Sequence, residues 1–255
     1  GDVDVDEAIE IAKKNFENIP GATEEQKAIG ESLFPKSFDF ATNSSRLFEN
    51  VKKGQICCYW KIPGLKEMPS ELPTIAGGVL GEGEGSILYK RLVEDEKVAV
   101  SVGVGPYQFF GDGIFLIFIE PKDGCVDKCK QIVKEELDKV VKNGISEADL
   151  SKVVRAEERA FLKLFENMGS LTYEWLQTYF ASGDELNLFN YMKRLNDIDV
   201  EEVQGFIVKY VDSYLMNEVE LAPLPENKKD IWEKSKAISD QLDEDILKHH
   251  VRTAP

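Results

Sequence analysis

Apolar residues recur every three or four positions over residues 4–18, and Pro20-Gly21 ends this pattern. Such spacing places the apolar side chains on one face of a helix. Asp4 and Glu7 form a capping pattern at its start. Further helical patterns cover residues 69–80, 86–95, 126–143, 146–164, 169–181, 185–195 and 200–212.

Five other segments are rich in apolar and β-branched residues and predict strands, at residues 46–51, 55–62, 98–104, 114–120 and 214–221. Lys52-Lys53-Gly54 separates the first two and predicts a β-hairpin between them. The element order is strands, helices, strands, helices, strand, which differs from the strict alternation of βαβ folds. We therefore expect an α+β fold with a mixed or antiparallel sheet packed against several helices.

Residues 21–45 carry little periodicity and predict a linker of about 25 residues, which is unusual inside one compact domain. This divides the chain into four parts. Residues 1–20 belong to a preceding unit, residues 21–45 link it to the rest, residues 46–222 form a complete domain, and residues 223–255 form a charged helical tail.

The charge of the chain limits the classes of partner. It contains 47 acidic and 31 basic residues, so its net charge of -16 repels nucleic-acid phosphates and anionic membrane surfaces. No apolar run approaches the roughly 18 residues of a membrane helix. We therefore expect neither a nucleic acid nor a membrane as partner. The acidity either favours cationic peptides or only keeps the protein soluble.

Catalytic chemistry based on histidine has almost no support. His249 and His250 are the only histidines of the sequence, so residues 1–248 cannot hold an HxxEH zinc motif or a histidine base. The spacing of the four cysteines favours free thiols over a disulfide framework. No catalytic or metal-binding residue is therefore predicted in this chain. Its cysteines are Cys57, Cys58, Cys125 and Cys129.

A glycine-rich segment contains the loop Gly81, Gly83 and Gly85, with Glu82 and Glu84 between the glycines. It lacks the lysine of a phosphate-binding loop, and its glutamates would repel phosphate. We interpret it as a flexible connection between two helices, with a ligand-binding loop as the alternative.

The aromatic residues between positions 173 and 180 have helical spacing, which favours a place in the core over a ligand-binding cluster. They are Tyr173, Trp175, Tyr179 and Phe180.

Four segments, taken in order, resemble one known family. Residues 77–102 contain a glycine-rich turn, then Leu-Tyr-Lys-Arg-Leu-Val-Glu, then a strand. This pattern resembles the second domain of the M16 zinc peptidases, which include insulinase, pitrilysin and the mitochondrial processing peptidase. Residues 143–150 and 197–203 resemble two helix starts of that domain, and residues 1–16 resemble the end of the domain before it. The resemblance implies an M16-like (LuxS/MPP-like) fold.

The same resemblance implies that the chain is the C-terminal, chamber-forming half of a zinc endopeptidase. Zinc would belong to a missing N-terminal domain of the parent polypeptide, so this chain would need no cofactor and would be inactive alone. Its partners would be the preceding M16 domain and a peptide substrate. The resemblance does not decide where the protein is located. In a bacterium it would be either periplasmic or secreted, or cytoplasmic.

Many members of the family hold the substrate with an arginine and, seven residues later, a tyrosine. The positions that correspond here are Val93 and Val100, which cannot donate a hydrogen bond from their side chains. Two explanations remain open. A second M16-like subunit supplies the arginine and tyrosine, or the parent protein is a non-catalytic structural subunit of the core-protein type.

Overall fold

The computed structural model describes residues 3–33 and 43–250 of the chain, and the side chains of residues 3–29 and 43–241. Helices and strands alternate in blocks. The helices are α1 (Val5–Phe16), α2 (Glu24–Leu33), α3 (Glu71–Gly81), α4 (Ile87–Tyr89), α5 (Val126–Asn143), α6 (Glu147–Leu164), α7 (Met168–Ser182), α8 (Tyr191–Asp197), α9 (Val200–Tyr210) and α10 (Lys229–His250). The strands are β1 (Ser44–Glu49), β2 (Gln55–Pro63), β3 (Ala99–Gln108), β4 (Asp112–Pro121) and β5 (Asn217–Pro223).

These strands form one mixed sheet in the order β1-β5-β2-β4-β3. Strand β1 runs parallel to β5, and the other neighbouring strands pair antiparallel. Helices cover one face of the sheet. The α+β fold with a mixed sheet and several helices is therefore confirmed.

The predicted hairpin between the first two strands is wrong, because β5 lies between β1 and β2. A turn signal indicates that the chain changes direction, but it does not specify which strand becomes the neighbour. Side-chain charge favours the observed order, since Glu220 of β5 pairs with Arg46 of β1 at 2.5 Å. On the helix side, Lys130 of α5 lies 3.0 Å from Glu218.

The hydrophobic core lies between the sheet and helices α3, α5, α6 and α9. Alternate residues of the central strands point into it, including Ile56 and Ile62 of β2 and Phe115 of β4, each fully buried or nearly so. The alternation follows from the two-residue period of a strand. The helices predicted at 126–143 and 146–164 form, with Leu137 and Leu150 among their core residues.

Helices α1, α6 and α9 begin with a capping side chain, and one of these caps, at Asp4, is the predicted one. Asp4, Ser146 and Asp199 each accept a hydrogen bond from a backbone N–H three residues later. The predicted helix at 86–95 also forms, but it continues from α4 into a π-helix, Lys90–Asp95. The predicted helix at 185–195 is shorter, because regular helix begins only at Tyr191.

The N-terminal part of the chain buries none of its described side chains. Helix α1 exposes an apolar stripe, with Phe16 67% exposed and Ile9 46% exposed. Helix α2 occupies part of the predicted linker at 21–45, of which residues 34–42 lie outside the described part. The division of the chain into four parts stays a prediction. No helix within the described residues is long and apolar enough to span a membrane.

Candidate functional site

The side of the sheet that faces away from the core helices is the most extensive apolar surface formed by the strands. We call it the open face. Its side chains come from alternate positions of the strands, and they are half-buried or exposed. They are Leu47, Cys57, Tyr59, Tyr107, Ile114, Leu116, Phe118, Val219 and Leu221.

Strand β3 leaves space at one margin of this open face. Gly103 pairs with Phe118 and Gly105 pairs with Leu116. A Cβ atom added at either glycine would meet no atom within 4 Å. Phe118 is 50% exposed, so its ring borders this space. An apolar surface of this size with adjoining free volume is typical of a site that another chain or domain covers.

Charged residues lie at the margins of the open face and are already paired. Lys61 lies 3.2 Å from Asp112, and Lys53 pairs with Glu120. These pairs leave the middle of the open face apolar. The arrangement can contact apolar side chains of a partner.

The two valines at the predicted substrate-contact positions lie on neighbouring elements. Val93 belongs to the π-helix and packs, half-buried, against the core. Val100 lies in β3 at a β-bulge and is 46% exposed. Lys97, with φ of 54°, helps the chain turn between them. Their role as substrate contacts stays a prediction.

Arg91 is the nearest arginine in sequence to Val93, and the fold already uses it. Its Nη1 lies 2.5 Å from Glu96, and its Nε lies 3.3 Å from Glu136. The hydrogen bond to Glu96 raises the pKa of Arg91. This guanidinium therefore holds the π-helix against α5 and leaves little capacity for a substrate carbonyl.

Residues 77–81 of the glycine-rich segment belong to α3, and residues 82–86 form the turn that connects α3 to α4. Gly81 ends α3 and is buried, and a Cβ there would lie 2.0 Å from Val104 Cγ2. Gly83 has a φ of +78°, which favours glycine. A Cβ at Gly85 would meet the flexible end of Lys152. Close packing explains why residue 81 is glycine, and the positive φ of the turn explains why residue 83 is glycine. A ligand-binding role for the loop stays a prediction.

The four cysteines are free, as predicted, and each is buried or half-buried. Burial raises the pKa of Cys57 to about 11 and that of Cys58 to about 12. Both stay protonated at neutral pH, and the thiolate is the nucleophilic form. Within the described side chains, no group of three or more His, Cys, Asp or Glu residues could hold a metal ion.

The predicted core position of the aromatic residues on α7 is wrong. No residue of this helix is buried, and Tyr173 and Phe180 are 60% and 71% exposed. Helical spacing indicates that these rings share a face, but it cannot indicate whether another element covers that face.

A sequence profile described as "Peptidase M16 inactive domain" matches residues 1–157. This chain belongs to the M16 peptidase inactive-domain family. The match begins at the first residue and therefore includes α1 and the predicted linker. Comparison with curated protein sequences finds no match.

Solved structures share the fold of this M16 inactive domain. A protease from Helicobacter pylori is 20% identical, with a TM-score of 0.70 over 88% of this chain and 54% of that chain. A peptidase M16 inactive domain from Pseudomonas fluorescens is 16% identical, with a TM-score of 0.59 over 80% and 52%. Complex III2 from Candida albicans contains a chain 19% identical, with a TM-score of 0.70 over 89% and 54%.

The M16 inactive domain described here spans about half the length of the Helicobacter pylori protease. At this level of identity the similarity shows a shared fold. The family and the fold are thus the ones that the sequence motifs implied. The open face and the exposed aromatic residues of α7 were not found by sequence reasoning, although the alternation of apolar residues on both faces of β4 is a signal for the open face.

Proposed function

We propose that this chain is the C-terminal, chamber-forming half of an M16-like zinc endopeptidase. The observation that carries the proposal is the open face of the sheet, an apolar surface with free space beside Gly103 and Gly105. Peptides expose apolar side chains and backbone, so a wall of this chemistry can hold a peptide without reacting with it. The chain supplies the wall, and the catalytic groups belong to other parts of the enzyme.

The zinc of such an enzyme would belong to the preceding domain. The described residues of this chain do not fit a zinc ion, because their acidic and thiol groups form no metal-binding cluster. We therefore assign no step of peptide hydrolysis to these residues. A domain of the family described as inactive is compatible with this division of roles.

A second M16-like subunit would supply the hydrogen-bond donors that this chain lacks. Preorganised donors stabilise the oxyanion of a hydrolytic transition state. Val93 and Val100 occupy the two positions and carry no donor group. The subunit that carries zinc and the subunit that carries the hydrogen-bond donors would then be active only as a pair.

Helix α1 would connect this half to the preceding domain. Its apolar stripe is exposed along its whole length, and Phe16 and Ile19 are 67% and 63% exposed. An amphipathic helix normally packs its apolar face on another element. The preceding domain is the partner that the order of the chain places next to α1.

A non-catalytic structural subunit is the second candidate function. The similarity in fold to a chain of Complex III2 favours it, since that chain belongs to a larger assembly. Both candidates use the open face for contact with another domain or with peptide. They differ only in whether the parent polypeptide hydrolyses peptides.

Hydrolysis of an internally quenched basic peptide separates the two candidates. The assay compares this chain, the parent polypeptide, and the parent mixed with its second subunit, each with and without a zinc chelator. We expect no cleavage by the chain alone and chelator-sensitive cleavage by the assembled parent. Cleavage by the chain alone would contradict the proposal, and a parent assembly that binds no zinc and cleaves nothing would favour the structural role.

A further inference from the structure

The arginines of the chain divide into two groups by their partners. The sequence contains six arginines, and the structure describes the side chains of five. Three of these five form ion pairs within the fold. The pairs are Arg46–Glu220, Arg91–Glu96 and Arg194–Glu71. The other two, Arg155 and Arg159, are exposed on α6 and form no ion pair with a described carboxylate.

Helix α6 places these two arginines in one row with a lysine. Arg155, Arg159 and Lys163 follow one another at four-residue intervals, so their side chains share one face over about 12 Å of the helix. We call this row the basic stripe. Lys163 is also exposed and forms no ion pair with a described carboxylate. In a chain with a net charge of -16, the basic stripe is a local concentration of positive charge.

The carboxylates in the same part of α6 lie on the side that faces α8. Glu158 accepts a hydrogen bond from Asn196 Nδ2 of α8 at 3.1 Å. Glu157 is half-buried and shares a hydrogen bond with Tyr191 of α8. Neither carboxylate forms an ion pair with the basic stripe, so the fold leaves the charge of the stripe available to a partner.

The basic stripe opposes the formation of its own helix. Arg155 and Arg159, and then Arg159 and Lys163, are like charges four residues apart on one face, and such pairs repel each other. The helix dipole favours Lys163 in the last turn, but it does not favour the two arginines in the middle of α6. A local conflict of this kind, without a compensating contact in the fold, is typical of a functional surface.

The side chains of this face define the chemistry of a partner. A guanidinium group can bind a carboxylate through two parallel hydrogen bonds, and arginine is enriched in protein interfaces. Leu162, three residues after Arg159, is 61% exposed and adds apolar contact area. A nucleic acid or an anionic membrane extends over many charges and would also meet the negative charge of the whole chain. A short acidic segment would meet mainly the stripe.

We infer that the basic stripe of α6 is an interaction surface for an acidic segment of a partner protein, in which glutamate or aspartate lies beside apolar residues. Charge complementarity carries this choice of partner. The inference goes beyond the proposed function, because it involves neither peptide hydrolysis nor the open face.

Fluorescence anisotropy with a labelled helical peptide tests the inference on the 255-residue chain. Glutamate recurs at every fourth residue of this peptide, and leucine lies beside each glutamate. A matched peptide carries glutamine in place of glutamate. At a salt concentration of about 150 mM, charges more than about 8 Å apart are largely screened, so the local charge of the stripe dominates. We expect the glutamate peptide to bind at least about fivefold more tightly than the glutamine peptide.

Paired variants place the binding on α6. Arg155→Gln/Arg159→Gln should weaken binding of the glutamate peptide at least about fivefold. Arg155→Lys/Arg159→Lys keeps both charges and should weaken it only about twofold, because lysine cannot form the two-bond contact. Lys13→Gln/Lys14→Gln removes two exposed charges from α1 and should leave binding unchanged.

The melting temperature separates a binding role from a structural role. Arg155→Gln/Arg159→Gln should melt at or above the temperature of the unmodified chain, because the two arginines repel each other in the free protein. A lower melting temperature would show that the arginines stabilise the fold, and it would remove the argument for a partner.

Three binding results would also overturn the inference. In the first, the glutamine peptide binds as tightly as the glutamate peptide, or neither binds. In the second, Lys13→Gln/Lys14→Gln weakens binding as much as the α6 variant does. In the third, oligothymidine or phosphatidylserine vesicles bind more tightly than the glutamate peptide and lose binding with Arg155→Gln/Arg159→Gln, so that the stripe recognises phosphate. None of these measurements uses peptide hydrolysis, so the proposed function stands or fails separately.

Discussion

Glu71 is a buried acidic residue that forms an ion pair with one arginine. It is 3% exposed on α3, and Arg194 of α8 contacts it through both Nε and Nη2. Arg194 also donates to Asn187 O at 3.1 Å. One guanidinium thus ties the start of α3 to α8 and to the segment before it.

Arg194→Met should lower the free energy of unfolding by about 3–5 kcal/mol, because it leaves the Glu71 carboxylate buried without a cation. Urea unfolding measures the loss. The double variant Glu71→Gln/Arg194→Met removes both charges and should recover at least half of the loss. If the single variant Arg194→Met is as stable as the unmodified 255-residue chain, the ion pair does not hold the two helices together.

Glu157 makes the stability of the fold depend on pH, with the opposite sign to the effect of a carboxylate in an ordinary ion pair. Burial, and then the charge of Glu82, raise the pKa of its carboxyl group. The folded chain therefore holds the proton more tightly than the unfolded chain does, so stability falls as pH rises from the unfolded value of about 4.3 through the folded pKa. The loss is complete above the folded pKa.

Glu157→Gln removes this loss and keeps an acceptor for the Tyr191 hydroxyl. We expect the melting temperature of this variant to exceed that of the unmodified chain by about 1–4 °C at pH 7.5. The two melting temperatures should converge below a pH of about 4. Thermal unfolding across this range measures the difference. Glu233→Gln, on the exposed face of α10, is the matched control and should show no such trend.

At the scale of elements, α3 is the helix that packs most closely on its neighbours. A Cβ at Gly77 would lie 2.8 Å from Val104 O, and one at Gly78 would lie 2.3 Å from Val153 Cγ1. Glycine therefore lets α3 fit between β3 and α6, and this offsets the lower helix propensity of glycine.

Gly81→Ala should destabilise the chain by about 1–3 kcal/mol, because its Cβ would overlap Val104. The matched control is Gly205→Ala in α9, where a Cβ meets nothing within 4 Å. That variant should gain about 0.4–1 kcal/mol from the lower entropy of the unfolded chain. Denaturant titration compares them, and equal effects would contradict a packing role for Gly81.

Local sequence patterns predicted the helices and strands better than they predicted which strands pair in the sheet. The stripes of α5 and α6 and the caps at Ser146 and Asp199 follow from contacts within one helix, so a short window of sequence contains them. The place of β5 between β1 and β2 depends on residues about 170 positions apart, such as Arg46 and Glu220. No local period encodes such a pairing.

For the candidate site, the sequence predicted only which catalytic and hydrogen-bonding groups are missing. The sequence shows that no histidine precedes His249 and that Val93 and Val100 carry no donor groups. It could not show the open face or the exposed rings of α7, because a partly buried apolar residue and a core residue have the same spacing. Tyr173 and Phe180 are examples, since their helical spacing suggested burial.

At the scale of the whole molecule, the stripe of α1 and the open face are apolar surfaces that no described residue covers. Phe16 and Phe118 are 67% and 50% exposed. Large exposed apolar surfaces on a soluble domain usually mark an interface. Under the proposed function, further domains would complete a chamber around this chain, with peptide against the open face.

Peptide hydrolysis by the assembled parent that carries Gly103→Phe tests this claim most directly. A Cβ atom at Gly103 meets no atom of the chain within 4 Å and the position faces out of the sheet, so we expect the variant to fold, and its melting temperature checks this. The added ring projects from the open face beside Phe118, and we expect peptide cleavage to fall at least about tenfold. Gly205→Ala on the helical side is the control. Unchanged cleavage by a folded Gly103→Phe assembly would contradict the role of the open face as a peptide-binding wall.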